Sequence, residues 1–184
     1  MPLLLASVDT DNSSAGGLLY RDANNGNALY IDLGSGSEPI AITDQGGGSP
    51  SFDNSGSWSD GNGNTSTWSR TAYAVEQLSD GSFKLAVKNV NTWGSGSGTN
   101  TNISWEFYSI SSEGVIDWVS RTWAQSPLRF ENQLNQDLDG DGHIGFTDLP
   151  NVGTDTSGAR LKKDSGNALY IDLGSGSEPI AITD

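Results

Sequence analysis

Apolar and polar residues alternate in several short segments of the chain, and this period of two predicts β-strands. Pairs of these segments flank turn-forming Gly, Ser, Asp and Pro residues, which predicts β-hairpins. The three predicted hairpins join residues 28–32 to 40–43, 72–77 to 83–89, and 103–110 to 115–122. Weaker alternation at residues 18–21 and 159–162 predicts two further strands. We therefore expect an all-β fold, an antiparallel sandwich or barrel of about six to eight strands.

One segment departs from this alternation and has helical spacing. Within residues 127–136, the side chains of Leu128, Phe130 and Leu134 fall on one side of a helix, and we expect them to face inward. Pro150 and the glycines that follow it interrupt any second helix. The sequence therefore predicts a single short helix within the β fold.

Two segments show no clear period. Residues 46–67 and 91–102 are rich in Gly, Ser, Thr and Asn, and we predict them to be long loops. Trp58 and Trp93 lie within these segments and Trp68 directly follows the first, and all three are assigned to the polar loops. Two interpretations of these aromatic side chains stay open. They fold back as a lid over the sheet, or they stack on the apolar face of a carbohydrate whose hydroxyl groups bond neighbouring Asn and Asp side chains.

Two other tryptophans, Trp105 and Trp118, lie inside predicted strands. Large aromatic side chains within strands bury much apolar area, so we expect both of them in the core. Replacing a core tryptophan by alanine typically costs about 3–5 kcal/mol, whereas a peripheral tryptophan should cost far less.

The chain contains a long internal repeat. The sequence GNALYIDLGSGSEPIAITD occupies residues 26–44 and recurs without change at residues 166–184. This repetition predicts one complete unit over residues 1–150 and the start of a second over residues 151–184, as expected for part of a long tandem array. The alternative is that the second copy belongs to the same fold and closes a sheet.

The composition restricts the partners and the compartment. The net charge of −14 and the pI near 4.1 argue against binding to nucleic acid or to anionic membranes, both of which require basic residues. The chain has no cysteine, which excludes disulfides and cysteine-based metal sites. No apolar run approaches the length of a membrane span, so membrane insertion is not expected. An acidic excess fits a protein that meets divalent cations.

The most specific motif is an acidic loop over residues 137–148. Its sequence, DLDGDGHIGFTD, places carboxylates at positions 1, 3, 5 and 12, Gly142 at the sharp turn and apolar Ile144 at position 8 as an anchor. This is the spacing of an EF-hand calcium loop, whose ligands converge on a hard cation that takes about six to eight oxygens. The predicted Ca²⁺ ligands are the side chains of Asp137, Asp139, Asp141 and Asp148 and the backbone carbonyl of His143. Asp at position 12, where Glu is usual, predicts a tighter loop or weaker binding.

Catalytic chemistry has little support in the sequence. His143 is the only histidine and lies inside the acidic loop, where a Ser-His-Asp or zinc-histidine site does not fit. Several carboxylates could serve a glycosidase, but no spacing pairs them. We therefore expect a protein that is not an enzyme.

The helix and loop together resemble a known family. A β-rich unit ends in FENQLNQDLDGDGHIG at residues 130–145, and the next unit begins near Asp155. This arrangement resembles the tryptophan-containing tandem repeats of very large secreted calcium-binding proteins of cyanobacteria and other marine bacteria, often described as haemolysin-type or RTX-like adhesins. The single helix before the loop also resembles the half EF-hand of dockerins. The nonapeptide of true RTX β-rolls is absent, so a parallel β-roll is not predicted.

This resemblance implies an extracellular, secreted or cell-surface location. It implies a repeat module rigidified by Ca²⁺, with a structural extender or adhesion role and with neighbouring repeats, in cis or in trans, as partners. A glycan or cell surface would be the adhesion target. The alternative function is a carbohydrate-binding module that uses Trp58, Trp68 and Trp93.

Overall fold

The protein is described by a computed structural model that covers residues 5–7, 17–34, 36–95, 98–149, 158–164, 167–173 and 179–182. Its strands form three antiparallel sheets with one short helix, which confirms the predicted all-β fold. The chain divides into two compact units, Met1–Gln125 and Ser126–Asp184. The predicted repeat boundary at residues 150 and 151 lies outside the described residues and stays a prediction. The helix and the acidic loop belong to the second compact unit.

The first unit contains two antiparallel sheets. One has the strand order β1-β2-β3-β4, with strands at Leu5–Ser7, Leu18–Asp22, Ala28–Asp32 and Ile40–Ala41. The other has the order β5-β6-β7-β8-β9, with strands at Asn54–Ser59, Thr65–Gln77, Phe83–Ser95, Gly98–Ile110 and Ile116–Ala124. The three predicted hairpins are β3–β4, β6–β7 and β8–β9, and their antiparallel pairing is confirmed.

Both sheets of the first unit contribute to one hydrophobic core. The first sheet and the residues just after it supply Leu19, Leu29, Ile31, Ile42 and Phe52. The five-stranded sheet supplies Ala72, Val75, Phe83, Leu85, Val87, Tyr108, Ile110 and Ile116. Each buried aliphatic or aromatic side chain contributes roughly 1.5–3 kcal/mol through the hydrophobic effect. Two sheets that share one core in this way form a sandwich.

A backbone connection joins the two sheets at one edge. The Thr43 amide donates to the Gly114 carbonyl at 2.9 Å, and the Ile116 amide donates to the Thr43 carbonyl at 2.8 Å. Gly114 has a φ of +87°, and a Cβ at this position would lie 2.2 Å from the carbonyl oxygen of Ala41. Glycine alone fits such a close approach of backbones, so the sequence SEG after β8 sets this junction.

Of the two segments predicted to be long loops, residues 91–102 are almost entirely β-strand where described, so that prediction is wrong. Residues 46–67 are strand at 54–59 and 65–67 and loop elsewhere, so the prediction holds there only in part. β6, β7 and β8 are each 13 residues long, and β7 pairs with β8 over its whole length without a register shift. Gly, Ser and Asn have weak strand propensity, but pairing that begins in the apolar halves of these strands carries through the polar halves. Trp58, Trp68 and Trp93 therefore lie on β5, β6 and β7, and all three are exposed. They do not form loop lids.

The two tryptophans expected in the core behave differently. Trp105 is fully buried and packs against Tyr73 and Phe107, which confirms its core position. Trp118 is 41% exposed, so its predicted core position is wrong, although it packs against Tyr108 at a ring-centroid distance of 5.5 Å. Trp118 lies on the core side of the sheet, two residues after the buried Ile116. The physical reason for its exposure is that β9 is an edge strand, so no neighbouring strand covers its outer side.

The second unit contains a sheet with the same topology as the first. Its order is β10-β11-β12-β13, with strands at Thr147–Asp148, Arg160–Lys163, Leu169–Asp172 and Ile180–Ala181. The repeated segment pairs identically in the two sheets, with Ile31 opposite Ile40 and Ile171 opposite Ile180. The weak strands predicted before each copy are β2 and β11, and both are confirmed. The second copy thus builds its own sheet within the described residues.

The predicted helix is present as α1, Leu128–Leu134. Its inward residues are confirmed, because Leu128, Phe130 and Leu134 are all buried. The helix ends at Asn135, which has a left-handed conformation with φ of 48°. Among the described residues, no helix is long and apolar enough to cross a membrane.

Candidate metal centre and tryptophan face

A buried glutamate organises the acidic loop. Glu131 lies on α1 and is fully buried. One carboxylate oxygen accepts hydrogen bonds from the Leu138 amide at 3.0 Å and the Asp139 amide at 3.2 Å, and the other accepts from the Gly145 amide at 2.6 Å. Burial raises the pKa of Glu131, and the nearby Asp139 carboxylate acts in the same direction against these amide bonds. The side chain therefore ties the start of the loop and its ninth position, Gly145, to the helix.

Asp137 orders the turn at the start of the loop. Its Oδ1 accepts hydrogen bonds from the Gly140 amide at 2.7 Å and the Asp141 amide at 3.2 Å, and its Oδ2 accepts from the Gly142 amide at 2.7 Å. Gly140 and Gly142 have φ values of +83° and +86°, a conformation that glycine adopts without strain. The glycines of the motif thus let several backbone amides turn towards one carboxylate.

Three carboxylates converge at this point of the fold. One oxygen from each of Glu131, Asp137 and Asp139 lies within 4.8 Å of the others. Carboxylates this close repel one another unless a cation or a proton is shared among them. A set made only of oxygen donors fits a hard cation such as Ca²⁺. The chemistry of the donors is therefore compatible with the predicted metal.

The cluster does not include the other predicted ligands, although the Asp141 amide donates to the carboxylates of Asp137 at 3.2 Å and Asp139 at 3.1 Å. Asp141 accepts a hydrogen bond from the His143 amide at 2.8 Å and is not one of the three converging residues. Asp148 lies on β10, where its carboxylate is 3.7 Å from Arg160 and 3.8 Å from Lys162. The assignment of Asp141, His143 and Asp148 as ligands stays a prediction.

Ile144 does not act as a buried anchor for the loop, because its side chain is 44% exposed. The next residue, Gly145, is the one that contacts the helix. Gly145 is buried, and a Cβ there would lie 2.7 Å from the side-chain nitrogen of Asn132. The loop therefore packs on the helix through backbone at Gly145, not through an apolar side chain.

Glu131 is the site residue that the loop motif does not reveal. It stands six positions before Asp137, outside the twelve-residue pattern. A signal was nevertheless present in the helix, because Glu131 is three residues from both Leu128 and Leu134 and so lies on the buried side. A carboxylate on the buried side of a helix needs hydrogen-bond donors or a cation to compensate its charge, so this position indicates a candidate site residue.

The exposed tryptophans share one surface of the five-stranded sheet. Residues that pair directly across strands lie on the same side, as do residues two apart along a strand. One row across the sheet contains Trp58, Ser66, Trp93 and Asn100, and the next contains Gly56, Trp68, Asn91 and Asn102. We call these two rows the tryptophan face. It carries aromatic, amide and hydroxyl groups and no charged side chain.

The tryptophan face continues the surface that builds the core. Along β7, Trp93 and Asn91 have the same orientation as the core residues Leu85 and Val87. The core residues are fully buried, whereas Trp93 is 46% exposed. One side of the long strands is therefore hydrophobic core at one end and open aromatic surface at the other.

Comparisons with protein-family models, curated proteins and solved structures give no match to this chain. The arguments for a function consequently depend on the acidic cluster, the tryptophan face and the repeated sheet. Of these three features, the acidic cluster has the most defined chemistry.

Proposed function

We propose that the protein is a calcium-binding repeat module of a large extracellular bacterial protein, with a structural extender or adhesion role and no enzymatic activity. The observation that carries this proposal is the convergence of the Glu131, Asp137 and Asp139 carboxylates beside an EF-hand-like sequence. Oxygen donors favour Ca²⁺ or Mg²⁺ over zinc, which prefers nitrogen and sulfur ligands. The loop spacing favours Ca²⁺, because Mg²⁺ usually retains several waters and uses fewer carboxylates.

The position of the cluster supports a structural role for the metal. Glu131 belongs to α1, whereas Asp137 and Asp139 belong to the loop that leads into β10. A cation held by all three would cross-link the helix to the loop and restrict the connection between them. A rigid connection within each unit is what a repeat module requires in order to transmit force or to hold neighbouring units apart.

Thermal unfolding with Ca²⁺ and with chelator tests the proposal. Binding to the folded state alone stabilises it by about 2.7 kcal/mol when Ca²⁺ is a hundredfold above its Kd. Glu131→Gln and Asp137→Asn should remove most of this calcium-dependent gain. Asp80→Asn is the matched control, since Asp80 is an exposed acid that orders a turn by accepting from the Ser82 amide at 2.9 Å. Equal unfolding midpoints with Ca²⁺ and with chelator would reject calcium binding.

A second candidate function is carbohydrate binding by the tryptophan face. Trp58 and Trp93 occur in one row, and Trp68 occurs in the next, with Asn91 and Asn100 alongside. Indole rings stack on apolar surfaces, while amide groups donate and accept hydrogen bonds. A face without charge in a strongly acidic chain fits a neutral, hydroxyl-rich ligand better than an ionic one. In this function the module would bind glycans at a cell surface.

Binding to a glycan array tests this second candidate. The variant Trp58→Ala/Trp93→Ala should lose at least about tenfold in affinity for any glycan bound by the native chain, given about 1.4 kcal/mol per tenfold. Val119→Ala is the control, because Val119 is 93% exposed on β9 and lies outside the tryptophan face. A native chain that binds no glycan, or a double variant that binds normally, would contradict carbohydrate recognition.

A further inference from the structure

Identical residues have opposite environments in the two copies of the repeated segment. In the first copy, Leu29, Ile31 and Ile42 are each at most 1% exposed. Their counterparts in the second copy are exposed by 39% at Leu169, 37% at Ile171 and 47% at Ile182. Leu173 and Ile180 are also exposed, whereas the equivalent Leu33 and Ile40 pack against the core of the first unit.

The first copy shows what covers this apolar face. Its cover is the core side of the five-stranded sheet, which presents large side chains such as Phe83, Leu85, Tyr108 and Ile110. Phe52 fills the same cluster. The aliphatic residues of the small sheet pack against these aromatic and branched residues, so the two faces are complementary in size.

The second sheet preserves the geometry of the first. Ile171 pairs with Ile180 and with Leu161, just as Ile31 pairs with Ile40 and with Leu19. Equal sequence and equal register place the same side chains on the same face. The β10–β13 sheet therefore presents the surface that β1–β4 uses to cover a five-stranded sheet.

We propose that the apolar face of β10–β13 is a docking surface for the core side of a five-stranded sheet of the β5–β9 kind, carried by a further repeat unit. This inference rests on the proposed repeat function and names the partner of one repeat. The partner sheet belongs to a different unit because the apolar half of this side of β5–β9, with Phe83, Leu85 and Tyr108, is already covered by β1–β4 in the first unit. The complementarity is that of the first core, since the apolar residues of the two faces are the same, with Leu161 in the place of Leu19.

Hydrogen exchange tests the interface in the full chain and in the full chain extended after Asp184 by a second copy of residues 45–184, which continues the repeat in phase. Backbone amides in residues 167–173 and 179–182 should exchange at least tenfold more slowly in the extended chain. Ile171→Asp should abolish this added protection in the extended chain. In the unextended chain the same substitution should leave the unfolding midpoint within about 1 °C.

Val119→Asp provides the control, and it should change neither chain because Val119 is almost fully exposed on the other unit. Equal exchange in the two chains, or added protection that survives Ile171→Asp, would overturn the proposal. So would a dimer of the unextended chain in sedimentation that Ile171→Asp dissociates, because the partner would then be a second copy of the same face. Calcium-dependent melting does not require this interface, so its outcome distinguishes failure of the metal site from failure of the docking surface.

Discussion

The sheets β1–β4 and β10–β13 contain the same repeated sequence and the same strand register, yet only the first has a covered apolar face. Ile31 is fully buried, and Ile171 is 37% exposed. Local alternation and turn residues thus suffice to specify hairpin pairing. Burial, and the stability that comes with it, depends on a partner sheet distant in sequence.

The largest expected effect is the difference between Ile31→Ala and Ile171→Ala. Truncating a buried isoleucine costs about 2–5 kcal/mol, because it removes apolar contacts and leaves a cavity. At Ile31 we expect a loss in this range in the free energy of unfolding, measured by urea denaturation. At Ile171 the side chain is already partly solvated, and the loss should be below about 1 kcal/mol.

Val119→Ala calibrates this measurement, because surface substitutions are usually within about 0.5 kcal/mol of neutral. Equal losses at Ile31 and Ile171 would break the comparison and would mean that the second sheet is covered in solution. In that case another surface must cover Ile171 in the unextended chain. If that surface belongs to a second molecule, sedimentation will show self-association.

An intermediate effect is expected at Glu106, which lies on β8 where the hydrophobic core borders the tryptophan face. Glu106 is buried there and accepts hydrogen bonds from Tyr108, from Arg70 at 2.8 Å and from Asn89 at 3.2 Å. Burial pushes the pKa of Glu106 upward, but the Tyr108 bond and the Arg70 charge outweigh it, so the pKa lies below the ordinary 4.5. Burial, together with the hydrogen bond to Glu106, raises the pKa of Tyr108 to about 12.

Glu106→Gln should therefore cost about 1.5–3 kcal/mol at pH 7, the range for a hydrogen bond to a charged group. A depressed pKa means that the folded state holds fewer protons, so this contribution is complete above pH 4.5 and is lost as the pH falls through the folded pKa. Urea denaturation of both proteins at a series of pH values should show their stabilities converging below pH 4.5. A difference that is independent of pH would show that the carboxylate charge is not responsible.

The smallest expected effect concerns a contact that is specific to the second sheet. Lys162 lies 2.9 Å from the Asp172 carboxylate, whereas Tyr20 occupies the equivalent position opposite Tyr30 in the first sheet. Partly exposed ion pairs are worth about 0.2–1 kcal/mol and are screened by salt. Lys162→Met should lower stability by no more than this, and the loss should shrink at 1 M NaCl. A larger, salt-independent loss would point to packing by the lysine stem instead.

Much of the fold could be predicted because its hairpins have strong local signals. The turns after Gln77 and Ile110 carry Asp-Gly or Glu-Gly pairs between alternating segments, and both hairpins are present. The polar halves of β6, β7 and β8 could not be predicted in this way. Their Ser and Asn residues have weak strand propensity and adopt strand conformation because they pair with neighbouring strands. Alternation puts Trp118 on the same side as the buried Ile116, but it does not reveal that β9 is an edge strand, where Trp118 stays partly exposed.

The candidate site was only partly accessible to sequence reasoning. The loop spacing identified Asp137 and Asp139, which the structure brings together. It did not identify Glu131, because the motif covers only the twelve residues of the loop. Glu131 lies on the preceding helix and reaches the loop by accepting hydrogen bonds from the Leu138 and Gly145 amides. Ligand patterns defined along a chain omit groups that reach the site by tertiary contact.

The identical register of the two repeated segments also has a kinetic consequence. While the chain folds, both copies can compete for the core side of β5–β9. The connection from Ala41 to Asn54 is shorter than that from Ala124 to Leu169, but loop-closure entropy favours the nearer copy by only about 1 kcal/mol. Refolding from denaturant should therefore trap a fraction of chains with the later copy in place, whereas synthesis from the N-terminus offers the earlier copy first.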